Sequence, residues 1–216
     1  MTSGLWPATV TARRVGGPPI TLRALHGRDR REWEELRAAN IDWLRPWEAT
    51  SPEASTSGFA FRQLVRHFDR EATEGRLQPF VIEMAGRLVG QMHLFGIAWG
   101  SLRSACAGYW VDKSVAGQGI MPFALAAACD HAFLGLGLHR VEVNIRPENT
   151  ASLRVVEKLG FRDEGLRLCY LHIDGEWRDH RSFALTSEDL GSSSLVDRWN
   201  RSQEKSHRRH TDKDPQ

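Results

Sequence analysis

The run Gly108-Tyr-Trp-Val-Asp-Lys-Ser-Val-Ala-Gly-Gln-Gly-Ile-Met121 decides how this chain folds. Tyr109 to Val111 read as a short apolar strand that breaks into a glycine-containing loop, and the loop opens a long apolar helix. Backbone N–H groups at such a helix start point outward without intrahelical acceptors, with the positive end of the helix dipole behind them. That is a ready site for phosphate, and the stretch reads as a pyrophosphate cradle. A Walker-type loop is excluded because no Gly-Lys-Ser/Thr closes it, and a dinucleotide fingerprint because the third glycine is absent. Gly-x-Gly alone names no ligand in a chain with 19 glycines.

Downstream, Pro122 suits the first helical turn. Phe123 to about Leu134 is apolar nearly all round, which predicts a helix buried against a sheet. In the next strand, Leu138 to Arg146, Val141, Val143 and Ile145 face one way and Glu142 and Asn144 the other. Asn149 is an N-cap for a helix with Leu153, Val156 and Leu159 as its buried stripe and Gly160 as its stop. Phe161–Ile173 and Glu176–Leu185 read as strands joined at Asp174-Gly175, a strong hairpin signal. Residues 191–216, rich in serine and mixed charge, carry no core pattern and read as a disordered polar tail.

Upstream, residues 1–18 form a loose lead-in. A strand follows from Ile20 to Leu25, and Asp29 is an N-cap for a helix striped by Trp33 and Leu36. Trp43 and Trp47 flank Pro46 in a connecting segment, which predicts a loop anchored by aromatic burial. A helix over about Thr56 to Glu74 carries Phe61, Leu64, Val65 and Phe68 and stops at Gly75. After Pro79 the period falls to 2, giving strands around a tight turn at Ala85-Gly86. His93, on the second of these, reads as a surface or partly buried histidine rather than a catalytic one. Residues 19–190 thus make one α+β domain, a mostly antiparallel sheet with helices on its faces.

At 216 residues the length suits one such domain, and 41% hydrophobic and 26% charged residues are ordinary for a globular protein. A net charge of +2 gives no field argument for nucleic acid. The three cysteines, Cys106, Cys129 and Cys169, have no zinc-like spacing and read as buried free thiols. No secretory signal is visible, and no apolar stretch approaches the roughly 20 residues that span a bilayer, so a cytoplasmic location is expected.

Six segments lift the reading above a generic phosphate loop: Gly-Tyr-Trp-Val from Gly108, Gly117-Gln-Gly-Ile-Met, Leu138-His-Arg-Val-Glu, Arg146-Pro-Glu-Asn-Thr-Ala-Ser, Glu157-Lys-Leu-Gly-Phe-Arg-Asp-Glu-Gly and Gly175-Glu-Trp-Arg-Asp-His. In this order they resemble the RimJ/RimL branch, the ribosomal-protein-alanine type, of the GCN5-related N-acetyltransferases (GNAT). The resemblance implies a three-layer α/β/α fold with a V-shaped split between the strands at Tyr109–Val111 and Val141–Ile145. It implies acetyl-CoA as cosubstrate, with Trp110, Val111, Ala116, Gly117, Gln118, Gly119, Ile120, Met121, Asn144, Asn149 and Ser152 on the cofactor side. Ser152 matches a serine near the thioester sulfur. The chain departs from the wider superfamily at Ala116 and Met121, and it has Cys106 where many relatives have a glutamate proposed as general base.

Acetyl transfer needs a neutral amine, a polarised carbonyl and help for the leaving thiolate. A backbone N–H near Val111 suits the developing oxyanion, and the Ser152 hydroxyl suits the thiolate. Glu142, opposite the apolar stripe of its strand, is the first candidate base, with an ion pair to a neighbouring arginine as the competing reading; Glu83, His172 and Glu48 follow. The expected acceptor is a protein N-terminal amine, possible in a ribosomal protein. The alternatives are a polyamine or aminoglycoside, which would call for an acidic pocket, and a CoA-binding module without catalysis. A homodimer is compatible with the resemblance. The basic residues Lys205, Arg208 and Arg209 read as a solvated tail, with weak RNA contact as the other reading.

Overall fold

The structure is a computed structural model that describes residues 6–53 and 60–211, the last six of these by their backbone alone. In chain order it contains β1 (Thr9–Ala12), β2 (Ile20–Ala24), α1 (Arg30–Ala39), α2 (Ile41–Leu44), α3 (Phe61–Thr73), β3 (Leu77–Met84), β4 (Arg87–Ala98) and β5 (Ser104–Val111). There follow α4 (Ile120–Asp130), β6 (Arg140–Ile145), α5 (Thr150–Leu159), β7 (Arg162–Ile173), β8 (Glu176–Thr186) and α6 (Leu195–Thr211). The first residues of the helix expected from Thr56 lie outside the described residues.

The strands form one sheet in the order β1-β2-β3-β4-β5-β6-β8-β7. Every pairing is antiparallel except β5 with β6. That parallel pair holds at Ser104, Ala105 and Cys106, opposite Arg140, Val141 and Glu142, and then ends. Above it Ala107–Val111 pairs only with β4, and Val143–Ile145 only with β8. The expected split therefore opens just past Cys106. Parallel neighbours need a long crossover, and here α4 supplies it.

Period-2 patterning decides the faces. Ile20, Leu22, Phe80, Ile82, Met92 and Leu94 turn to the side covered by α4, while Val81 and Leu88 turn to Trp33 of α1 and Phe61 of α3. The sheet is thus sandwiched between two helix layers. The α4 helix is buried from Ile120 through Cys129, as an apolar-all-round helix must be. Both predicted hairpins form. Ala85 and Gly86, and again Asp174 and Gly175, sit at positive φ, the geometry of a two-residue turn matched to strand twist.

Two boundaries need correction. The lead-in contains β1, which pairs with β2 across Thr9–Ala12. The supposed disordered tail contains α6, whose Leu195 and Trp199, four residues apart on one face, are buried in the main core. Asp130, at the end of α4, accepts from the amides of Leu195 and Val196 and caps that helix. A narrow two-residue seam in a polar segment gives too little periodicity to read from sequence. Of the cysteines, all free, Cys129 is buried, Cys106 half-buried and Cys169 exposed, so burial was expected too widely. Among the described residues no helix is long and apolar enough to cross a membrane.

Candidate active site

The loop between β5 and α4 is held at both ends. Asp112 accepts from the Ser114 amide and hydroxyl, and buried Asn40 bridges the Asp112 carboxylate and the Lys113 amide. At the other end Arg14 donates to the Gln118 carbonyl at 2.6 Å. On either side of the Gln118 anchor, Gly117 and Gly119 adopt φ +80 and +74, a region that L side chains rarely enter. Among the described residues, no hydrogen bond uses an amide of Gly117 to Met121 as its donor. Pro122 has no N–H to lose in this turn.

The loop borders a cavity of about 520 Å³ lined by Trp110, Val111, Ala116, Gly117, Gly119, Ile120, Met121, Asn149 and Ser152, with others. Nine of the eleven residues expected on the cofactor side are therefore brought together there. Gln118 lends its backbone carbonyl to Arg14 instead of its side chain to the cavity. Asn144 lines not this cavity but a second one that adjoins it. Sequence reading missed Arg154 and Lys158, four apart on α5, which put two cations on the same wall. Unpaired amides, a helix N-terminus and two cations suit a ligand bearing phosphate groups. An orphan lies deeper: the buried Tyr109 hydroxyl has no partner in good geometry, although Ser152 lies beside it.

The second cavity, about 290 Å³, occupies the open split itself. It shares Trp47, Tyr109, Asn149 and Ser152 with the first, so the two meet at the N-terminus of α5. Asn149 caps that helix by accepting from the Ser152 amide at 3.0 Å, as its sequence position predicts. The outer wall is the segment after α2. Arg146 donates to the Pro46 carbonyl at 2.6 Å and stacks its guanidinium 5.4 Å from the Trp47 ring. Thr50 bonds both the backbone and the ring of His172 on β7. The anchoring burial expected of Trp43 and Trp47 falls instead to Leu44; Trp43 is 37% exposed, and both tryptophans line cavities. Inside the split, Asn144 accepts from Ser182 at 2.7 Å and turns its amide toward Tyr170 and Cys106.

The candidate bases are all otherwise engaged. The Glu142 carboxylate accepts from Arg140 at 2.7 Å and from Arg167 at 3.5 Å, and it borders neither cavity. The competing ion-pair reading is the one observed, and the base assignment is corrected. Arg140 shares the face of Glu142 because the two are two positions apart on a strand. Glu83 is held by Arg23, Glu48 by Arg37 and His172 by Thr50. His93 packs edge-on against Phe68, partly buried as expected. Cys106 sits at the foot of the split, where burial and the nearby Glu142 push its thiol up, against a downward pull from Arg167 and Arg140.

One group was not singled out. His180 on β8 is 3% exposed and lines the second cavity. Burial pushes its pKa below the usual histidine value, although the Arg178 carbonyl, Glu148 and Asp179 pull the other way.

Residues 20–162 match the family described as "Acetyltransferase (GNAT) domain". Among curated proteins, the chain is 33% identical over 175 residues to the probable N-acetyltransferase YjcK of Bacillus subtilis, covering 80% of this chain and 97% of that one. It is 31% identical over 176 residues to the [ribosomal protein uS5]-alanine N-acetyltransferase of Escherichia coli, covering 79% and 89%. Among solved structures, Mycobacterium smegmatis RimJ in complex with CoA-disulfide superposes with a TM-score of 0.85 at 39% identity, covering 92% of this chain and 96% of that one.

Proposed function

The chain belongs to the GNAT acetyltransferase family, as an acetyl-CoA-dependent N-acetyltransferase, and from that premise we propose that its acceptor is the α-amine of a protein N-terminus. Ribosomal proteins are the first class to offer it. The observation that carries this reading is the charge of the second cavity. No Asp or Glu is among its lining residues in the described part of the chain, whereas Arg146 is. A polyamine or aminoglycoside brings several positive charges and needs carboxylates to hold them; the lining of this cavity supplies none, and the neighbouring Glu148 is already paired with Arg146 at 3.3 Å. An N-terminal alanine brings one amine and a methyl group, which suit walls of Trp47, Tyr170 and Leu171. The Escherichia coli relative, named for alanine acetylation of a ribosomal protein, points the same way.

Proton supply favours the same acceptor. With pKa values of about 7.7–8.0 and 10.4, roughly a tenth of α-amines but only about 0.04% of lysines are neutral at pH 7. A site without a carboxylate base therefore starts a few hundredfold nearer to reaction with an N-terminus. The donor supplies an acetyl group already activated as a thioester. Ser152, which borders both cavities, is suited to hydrogen-bond the departing sulfur. We expect Ser152→Ala to lower kcat by about 10- to 100-fold. Acetyl-CoA affinity should change less than threefold; an unchanged kcat would remove the residue from the reaction.

The function is tested by offering alanine-, serine- and methionine-starting peptides, spermidine and an aminoglycoside with acetyl-CoA, and reading products by intact mass. Acetylated peptides support the reading. Turnover of the small polycations with silence on every peptide overturns it.

A further inference from the structure

The cavity beside Ser152 contains one side chain built to take a proton. The Nδ1 atom of His180 lies 3.0 Å from the Arg178 carbonyl oxygen, and a carbonyl can only accept. The ring proton must therefore sit on Nδ1, which leaves a lone pair on Nε2. Among the described residues Nε2 has no hydrogen-bond partner, yet it is not one of the sealed, unsatisfied atoms of the interior. In a residue only 3% exposed, the opening left to it is the cavity that it lines. Tyr170 sets the ring angle from β7 by an edge contact at 5.6 Å.

We propose that His180 is the general base that takes the proton of the acceptor amine. The proposal rests on acetyl transfer at this cavity, whatever the amine. As the nitrogen–carbon bond forms and the carbon–sulfur bond breaks, the electron pair leaves with sulfur, and the nitrogen sheds one proton to Nε2. The imidazolium then carries both ring protons, the Nδ1 proton still held by the Arg178 carbonyl. The charged groups around the ring come from four elements. Arg146, after β6, opposes the imidazolium, while Glu148 before α5 and Asp179 on β8 favour it. From β7, Arg167 lies directly across the ladder from His180 and holds its guanidinium 4.9 Å over the Tyr170 ring, a second cation that opposes the imidazolium. Burial and Arg146 keep the ring uncharged at neutral pH, so that it is ready to accept. This places a base in the split of a chain whose Cys106 stands where relatives have a carboxylate.

The test has two parts. On the wild-type protein, nitrogen-detected NMR of the histidine rings should show His180 neutral at pH 7 with its proton on Nδ1. A charged ring, or a proton on Nε2, overturns the proposal without any variant or any acceptor. In single-turnover assays with whichever amine the panel identifies, His180→Gln should slow acetyl transfer by about 100-fold. The KM values for both substrates should stay within threefold, and the acid limb of the wild-type pH profile should disappear. A rate within threefold of wild type, or a loss confined to KM, contradicts a base role; His180→Asn repeats the measurement should the glutamine variant not fold. Neither part depends on the acceptor being a protein N-terminus, so failure here leaves that reading separately tested.

Discussion

Replacing Gly119 with valine is expected to weaken acetyl-CoA binding on the order of a thousandfold. Two costs add. The residue sits at φ +74, where a β-branched side chain is strained by about 1–2 kcal/mol. A Cβ there would also come within 3.3 Å of the Trp199 ring, a rigid aromatic on α6 rather than a flexible chain end. The ring or the loop must then give by a few tenths of an ångström, which together with the strained φ disturbs the amides of Gly117 to Met121. Charge-assisted hydrogen bonds to a phosphate are each worth about 1.5–3 kcal/mol. A combined loss near 4 kcal/mol corresponds to about three decades in Kd. Titration calorimetry with acetyl-CoA reads it directly. A Kd within tenfold of wild type would mean that this loop does not hold the pyrophosphate.

The second large effect concerns stability. Trp199→Ala should cost about 3–5 kcal/mol, the usual range for removing a buried tryptophan. Trp199 is 6% exposed, Leu195 is 2%, and both belong to the main core. For a domain of this size the loss corresponds to a fall in Tm of about 10 °C. Truncation after Gly191 should destabilise further, since it also strips the Asp130 carboxylate of the two amides that it caps. A truncated chain melting with the full-length protein would restore the reading of residues 191–216 as a tail. Because Trp199 packs behind Gly119, its removal should also weaken cofactor binding, more mildly than a change in Gly119 itself.

These two residues mark the boundary of what the sequence discloses. The β5–α4 loop, the capped α5 helix and both hairpins were legible because each depends on local chemistry: glycines at positive φ, an asparagine N-cap, paired turn residues. The lining of the first cavity followed from motifs within one continuous stretch and a helix start. The lining of the second cavity did not, because it is assembled from distant pieces. Trp47 arrives from the segment after α2, Arg146 from the end of β6, Tyr170 from β7 and His180 from β8. No spacing rule joins them until the sheet order is known. His180 lay within the Gly175-Glu-Trp-Arg-Asp-His segment, but nothing there shows that its Nδ1 would find a carbonyl and its Nε2 a cavity. Glu142 failed for the opposite reason. Its face was read correctly, and the arginine two residues earlier on that face was visible, yet only the structure shows Arg167 arriving from β7 as well. The β1 strand escaped because four residues at a sheet edge carry almost no pattern.

The central claim, that this split acetylates an α-amine without a carboxylate at hand, is tested most directly by one peptide carrying both kinds of amine. An alanine-starting peptide with an internal lysine is incubated with acetyl-CoA and the protein at pH 7, in competition with spermidine, and fragmented by mass spectrometry to locate the acetyl group. The expected result is acetyl on the N-terminal alanine in more than about 100-fold excess over lysine, in keeping with the neutral fractions of the two amines, with spermidine left unmodified. Acetyl on the lysine side chain or on spermidine, with the N-terminus free, would contradict the account.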